Sequence, residues 1–349
     1  MHVAIIAITA NGARIGATLQ QGIPDSRLFV IEKHAVGEAH PFAHGVQPLV
    51  DRLWPDYGGF VFIMATGIVV RTIAPLLQSK DRDPAVVVLD DAGRFAVSLL
   101  SGHIGGANGL AKLCAELTGS TPVITTATDV NDLPSFDMLA KANGWLIDDL
   151  SRVKVLNALL LEGKEIAVVD HGDVVQRYCA GKAVLSYHEE FSQAMQSGAA
   201  GQLFVTNRVL PRSPDAERTL VLRPVNLCLG IGCNRGTPAE EVESVVRANL
   251  ERLSLSMKSV KCIASAQAKE DEAGLLEFAQ RAGLPILFYA SEELNAVDVP
   301  SPPSDYAFAA IGARGVAEPA ALLASQGGTL LLKKVKDGNV TLAIAEMNL

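Results

Sequence analysis

The chain has 349 residues, 49% hydrophobic and 19% charged, which is enough apolar matter for two or three domains with buried cores and excludes a disordered chain. Its net charge of −8 argues against a general nucleic-acid binder, whose surface carries a basic excess to meet phosphate. No apolar run reaches the ~18 residues of a membrane span, residues 1–10 lack the basic start and cleavage site of a signal peptide, and five cysteines without a Cys-x-x-Cys pair suggest neither a disulfide framework nor a zinc site, so a cytoplasmic protein away from membranes is expected.

Residues 2–8 form a short apolar run that predicts a strand, followed by a Thr-Ala-Asn-Gly turn at 9–12 and a helix over 13–20. Strands are predicted at 29–32 and 60–64, the latter followed by Ala65-Thr66-Gly67 and a helix-like run over 68–77. Residues 86–89 and 95–99, joined by Asp90-Asp91-Ala92-Gly93-Arg94, read as a β-hairpin. A helix over 109–117 places Leu110, Leu113 and Leu117 on one face, and 123–126 reads as a strand. His34, His40 and His44 fall in a Pro- and Gly-bearing stretch without acidic or cysteine partners at ligand spacing, so they read as a solvated loop and no metal site is assigned.

The middle of the chain shows the same grammar more weakly, with a helix over 152–162, strands over 165–169 and 201–206, and a breaker-rich connection at Leu210-Pro211-Arg212-Ser213-Pro214-Asp215. No catalytic constellation is visible there. The last part opens with an apolar strand over 225–231 and the loop Gly232-Cys233-Asn234-Arg235-Gly236. Thr237 then reads as an N-cap, Pro238 as the first helical residue and Glu240 as the partner of a capping box. Strands at 260–265 and 286–289, helices at 274–282 and 316–324, and a closing antiparallel pair at 329–333 and 340–344 complete it. The expected fold is multi-domain α/β: an N-terminal α/β domain (1–150), a middle α/β segment (151–225) and a separate C-terminal α/β domain (226–349).

Four polar loops could carry chemistry. In residues 230–236 the glycines would let a ligand approach the backbone, and the start of the following helix favours an anion that Arg235 could grip. The third glycine comes too late for a dinucleotide fingerprint. Residues 98–109 place Gly102, Gly105, Gly106 and Gly109 just before a helix, with His103 beside Ser101 and Asn108, a setting that suits a general base or a ligand contact. Thr66, Gly67 and Arg71 follow one strand; Thr125, Thr126, Thr128 and Asp129 follow another. Strand ends of an open α/β sheet gather at one edge, where ligands bind, so these loops are expected to meet.

Taken together, these words resemble the cobalt-precorrin-5A hydrolase (CbiG) family of anaerobic cobalamin biosynthesis. The likeness rests on Met64-Ala65-Thr66-Gly67-Ile68-Val69-Val70-Arg71, Asp83-Pro84-Ala85-Val86-Val87, Leu99-Leu100-Ser101-Gly102-His103-Ile104-Gly105-Gly106-Ala107-Asn108 and Pro122-Val123-Ile124-Thr125-Thr126-Ala127-Thr128-Asp129. It continues in Gly230-Ile231-Gly232-Cys233-Asn234-Arg235-Gly236-Thr237-Pro238, in Val316-Ala317-Glu318 and at the closing Leu342-Ala343-Ile344-Ala345. The middle segment matches in position and length only.

The resemblance implies a hydrolase that opens the δ-lactone of a cobalt-bound corrinoid with release of acetaldehyde. The cobalt travels in the substrate, so no cofactor is expected. The implied partners are the corrinoid and neighbouring enzymes of the pathway; nucleic acid and membrane are not among them. On that reading His103 is expected to act as base, oriented by Asp91 or Asp129, with Glu318 of the C-terminal domain as a second acid or base. Amides near Gly105 and Gly106 would form an oxyanion hole. Thr66, Gly67, Arg71, Ser101, Gly102, Asn108, Thr125, Thr126, Thr128, Gly232, Cys233, Asn234, Arg235 and Gly236 would hold the substrate rim. A non-catalytic tetrapyrrole carrier would use the same features, and a nucleotide-dependent enzyme is disfavoured by the misplaced glycine.

Overall fold

A computed structural model describes residues 1–35, 37–79, 82–211 and 215–348; Arg212, Ser213 and Pro214 of the expected connection lie outside the described residues. Contacts divide the chain into a first unit, Met1–Met138, and a second, Leu139–Leu349.

The first unit runs β1 (Val3–Ala7), α1 (Ala10–Gly22), β2 (Ser26–Ile31), β3 (His40–Phe42), α2 (Val46–Leu53), β4 (Gly59–Ile63), α3 (Thr66–Ile73), β5 (Ala85–Leu89), β6 (Phe95–Leu100), α4 (Ala107–Thr118), β7 (Thr121–Val123) and α5 (Ala127–Val130). The helix α6 (Phe136–Ala142) carries the chain into the second unit. The strands form one sheet in the order β3-β2-β1-β4-β5-β6-β7. Alternation along each strand buries both faces. Val3, Ile5 and Ala7 pack with Leu19 of α1 and Leu110 of α4, while Ala4 and Ile6 pack with Val50 of α2 and Val69 of α3.

Strand direction decides where the loops go. Strands β1 to β5 are parallel, but β6 is antiparallel to β5, with Leu100 opposite Val86 and Ala96 opposite Leu89. Strand β7 runs parallel to β6. The loop after β6 therefore emerges at the end of the sheet where β5 begins, and the loops after β4 and β5 emerge at the other end. The expectation that these loops share one edge is corrected: the hairpin at Asp90–Arg94 reverses the chain and splits them.

In the second unit β8 (Leu146–Ile147), α7 (Leu150–Leu161), β9 (Ile166–Val169), α8 (Val174–Cys179), β10 (Leu185–Tyr187), α9 (Phe191–Gln196), β11 (Gly201–Val205) and β12 (Thr219–Arg223) build a sheet in the order β10-β9-β11-β12-β8. A third sheet, β15-β14-β13-β17-β16, follows from β13 (Leu227–Cys233), α10 (Ala239–Arg252), β14 (Val260–Ala266), α11 (Ala273–Ala282), β15 (Ile286–Tyr289), α12 (Ser291–Asn295), α13 (Asp305–Ile311), α14 (Ala317–Ala324), β16 (Thr329–Asp337) and β17 (Val340–Glu346). Leu227, Leu229 and Ile231 of β13 face α10 and α11, and Cys228 faces the Ala-rich α14. The protein is thus a mixed α/β chain with three sheets.

Several local expectations shift by a residue or two, each for a visible reason. Thr9 is the N-cap of α1, accepting the Gly12 amide at 2.9 Å, so residues 10–12 are helix rather than turn. Thr66 is helical and makes no cap bond. The strand expected over 123–126 ends at Val123, and Thr126 instead precedes α5. Pro238, not Thr237, is the N-cap of α10. The Thr237 hydroxyl donates to the Asn234 carbonyl at 2.8 Å, and Glu240 pairs with Arg281, so no capping box forms. Gly232 and Cys233 belong to β13 because β17 pairs with them.

Candidate active site

At the end of the sheet where β6 and β7 both finish, the chain gathers a polar cluster around His103. Ser101 has a left-handed backbone (φ 56°), and its hydroxyl donates to the Asp83 carbonyl at 3.0 Å, which pins the loop to the start of β5. A Cβ on Gly105 would stand 2.4 Å from Ser101 Cβ and 2.7 Å from its carbonyl oxygen, so only glycine permits this fold of the loop. The amides of Gly106, Ala107 and Asn108 donate to the carbonyls of His103, Ser101 and Gly102. The amide of Gly106 and those opening α4 are therefore taken up inside the loop, and the expected oxyanion hole loses them.

Asn108, buried on α4, organises the cluster. Its Oδ1 accepts from Ser98 Oγ at 2.7 Å, and its Nδ2 donates to Thr126 Oγ1 at 3.0 Å and to Asp129 Oδ2 at 2.9 Å. Asp129, on the one-turn helix α5, then stands 2.9 Å from His103 Nε2, with Thr128 Oγ1 3.1 Å from the same nitrogen. On the other side of the ring, His103 Nδ1 lies 3.3 Å from Asp137 Oδ2. Asp137 is buried, and its other oxygen accepts from Ser135 Oγ.

Two carboxylates against two ring nitrogens favour the protonated ring. A neutral imidazole has one N–H, so its bare nitrogen would face an ionised oxygen; the imidazolium satisfies both. The Asp137 hydrogen bond, helped by that from Asp129 and by both charges, raises the His103 pKa above its ordinary 6.5, although burial of the ring acts the other way. The imidazolium so paired can donate a hydrogen bond and stabilise negative charge, and the neutral ring, present above the raised pKa, is the form the expected base role requires.

Asp91 does not reach this cluster. It follows β5, at the far end of the sheet, where its carboxylate accepts from Thr9 Oγ1 and its carbonyl from Asn11 Nδ2 at 3.1 Å. Thr66, Gly67 and Arg71 are exposed at that same far end, and Arg71 Nη1 donates to the Gly67 carbonyl at 2.9 Å. Of the N-terminal candidates, the structure brings together Ser101, Gly102, His103, Gly105, Gly106, Asn108, Thr126, Thr128 and Asp129. Thr125 is exposed on the same side, between β7 and α5.

The candidates of the second unit are engaged within their own unit. A Cβ on Gly230 would lie 1.8 Å from the Ala317 carbonyl oxygen, and one on Gly232 would lie 2.7 Å from Thr341 Oγ1; these glycines admit α14 and β17, not a ligand. Arg235 binds Asp271 and the Ala268 carbonyl, while the Gly236 amide donates to the buried Glu272 at 2.7 Å. The anion expected at this helix start is thus the chain's own carboxylate. Asn234 pairs with Asn339, and burial pushes the Cys233 thiol up, which disarms it as a nucleophile. Glu318, 2% exposed, accepts from Ser301 N and Oγ and from the Lys334 amide, which a β-bulge in β16 releases from the ladder. Both of its carboxylate oxygens are engaged by these partners.

Asp137 and Ser135 escaped the sequence reading. A Ser-x-Asp word at the start of a predicted helix reads as ordinary capping, and only the fold of α5 and α6 turns it toward His103. Among the described residues no group of three or more His, Cys, Asp or Glu is placed to hold a metal ion, and no helix is long and apolar enough to cross a membrane.

Comparison with known proteins gives the family. Residues 48–129 match the model of the cobalamin synthesis G N-terminal region, 134–224 that of the cobalamin biosynthesis central region and 227–345 that of the cobalamin synthesis G C-terminus. A cobalt-precorrin-5A hydrolase from Priestia megaterium is 38% identical over 98% of this chain and 94% of that protein. The chain belongs to the cobalamin synthesis G family. A cobalt-precorrin-5A hydrolase from Salmonella typhimurium is 32% identical over 98% of this chain and 97% of its own length. Protein CobE from Sinorhizobium sp. is 36% identical over 34% of this chain and 79% of its own. The His103 cluster, with Asn108 and Asp129, lies inside the N-terminal match, and Asp137 lies inside the central one.

Proposed function

We propose that the protein is a cobalt-precorrin-5A hydrolase of cobalamin biosynthesis, and that the lactone is opened at the His103 cluster. The observation that carries the activity is the near full-length similarity to two hydrolases of that name. The observation that favours the site is a histidine held between two carboxylates. Its substrate is a cobalt corrinoid, and the cobalt enters with it, so the reading assigns the protein no metal of its own.

Each proton in the proposed reaction has a named place. Water attacks the lactone carbonyl, and its proton passes to the Asp129 carboxylate. As that proton neutralises Asp129, its hold on the His103 Nε2–H weakens, and the Nε2–H donates to the oxygen that gains charge, as an oxyanion donor worth on the order of 3 kcal/mol. The acyl C–O bond breaks to leave an alkoxide and a carboxylic acid, whose proton, the second of the attacking water, is lost to solvent to give the carboxylate. The alkoxide collapses to acetaldehyde as its carbon–carbon bond to the macrocycle breaks, and the electron pair enters the conjugated ring. Asn108 keeps Asp129 in place throughout by its 2.9 Å bond.

The test is an incubation with cobalt-precorrin-5A read by mass spectrometry, with released aldehyde trapped as a hydrazone. A corrinoid lighter by the two-carbon fragment, together with trapped acetaldehyde, is the expected result. Pigment that co-elutes with the protein at unchanged mass would make it a carrier and end the catalytic reading.

A further inference from the structure

We infer that Asp137 is the positioning residue of this site: its carboxylate takes the Nδ1–H of His103 and so fixes the other proton at Nε2, facing Asp129. The inference rests on the proposed hydrolase reading of the His103 cluster. Three observations carry it. Asp137 is 4% exposed while Asp129 keeps 29% of its side chain open, so the inner carboxylate can hold and the outer one can meet solvent or substrate. Asp137 Oδ2 is 3.3 Å from Nδ1, and Ser135 Oγ donates to Oδ1, which leaves the carboxylate little freedom to turn away. The titratable groups against the ring are Asp129 from α5 and Asp137 from α6, and the Thr128 hydroxyl faces Nε2, so the two sides of the imidazole are chemically distinct.

A carboxylate that faces Nδ1 does two things. It sets the ring plane, because the N–H must point along the Cβ side toward α6. It also selects which nitrogen exchanges its proton: Nδ1–H is sealed against a buried oxygen, and Nε2–H is the one that can leave. Asp137 touches neither water nor lactone in this scheme. It acts through His103 alone.

The test pairs Asp137→Asn with His103→Gln in the full-length protein. Asn keeps an acceptor oxygen for Nδ1–H but loses the charge. The His103 imidazole is followed by 1H–15N NMR without substrate, assigned by its loss in H103Q. The expected result for D137N is a His103 titration moved to lower pH, kcat reduced roughly 10- to 100-fold and KM little changed. A D137N protein with wild-type kcat overturns the inference whatever its titration does. An H103Q protein with wild-type kcat overturns the catalytic reading of the whole cluster, a failure distinct from that of Asp137 because the NMR titration still reports whether Asp137 holds the ring. Should D137N fail to fold, Ser135→Ala, which frees Asp137 Oδ1, carries the test: both effects in the same direction support the inference, and wild-type values in both overturn it.

Discussion

The sharpest consequence of the reversed β6 strand is a contrast between two like substitutions, Asp129→Asn and Asp91→Asn. Each removes one negative charge and keeps the shape of the side chain. Asp129 Oδ2 is 2.9 Å from His103 Nε2. At that distance a unit charge is worth between about 1.4 kcal/mol in bulk water and about 6 kcal/mol at an effective dielectric of 20. Asp129 is partly open to solvent, so the lower half of that range applies, and about 1.4 to 3 kcal/mol corresponds to roughly 10- to 100-fold in rate. Asp91 sits beyond the opposite end of β5, five residues from the Val86–Leu100 pair that marks the His103 end, and at ~3.3 Å per residue that is roughly 17 Å. Across that separation the same charge is worth about 0.2 kcal/mol in water, less than twofold. Steady-state turnover of cobalt-precorrin-5A, with acetaldehyde as the readout, should therefore fall roughly 10- to 100-fold in D129N and stay at wild type in D91N. Equal losses in the two variants would refute the placement of chemistry at the β6–β7 end.

Three further outcomes follow from other parts of the molecule. Because the folded-state pKa of His103 is raised, its pairing with Asp137 and Asp129 contributes its full stabilisation below pH 6.5 and loses it as pH rises through the raised value; melting temperature against pH should show this decline in the wild type and not in H103Q. Gly230→Ala drives a methyl to 1.8 Å from the Ala317 backbone oxygen, an overpacking that costs roughly 3 kcal/mol or more because backbone must move; denaturant unfolding measures it, and a midpoint unchanged from wild type would disprove the close strand–helix contact. Asp148→Asn removes the partner of buried Arg223, held at 3.0 and 2.7 Å, and should cost about 1.5–3 kcal/mol. Burial opposes the ionised Asp148, but Arg223 and Lys258 outweigh it and lower its pKa, so this contribution is present above the ordinary value of 3.8 and fades as pH falls through the lowered one; acid titration of wild type and D148N side by side reads the difference.

Strands and most helices were legible because their signals are local. The run Val86–Leu89 can only be a buried strand, and Gly93, at φ 64°, turns the hairpin where its position suggested. The grouping of the loops was not legible to the same depth. The hairpin itself implies that β6 runs backwards, and hence that Arg71 and His103 leave opposite ends of the sheet, but that step needs strand order as well as strand identity. Partners were the second blind spot. Arg235 looked like an anion grip until Asp271 and Glu272, some 36 residues on, proved to fill it. Gly230 looked like room for a ligand, and the room is taken by α14. Composition tells which side chains can bind; only the fold tells which are already bound.

The same distinction argues for the His103 cluster as the working site. Glu318 and Arg235 have their hydrogen-bonding capacity directed into elements of their own unit, so the chain has spent them on stability. His103 is held differently. Asn108 and Ser135 are used to place the two carboxylates, and the carboxylates are used to place one ring. Such a chain of supports is no better as structure than a packed apolar cluster in its place, since a buried charged group is usually no more stabilising than a packed apolar one. What it does supply is a proton donor of fixed orientation beside an acceptor of fixed orientation. Hydrolysis of a lactone needs both at once, one for the oxygen that gains charge and one for the proton that water gives up.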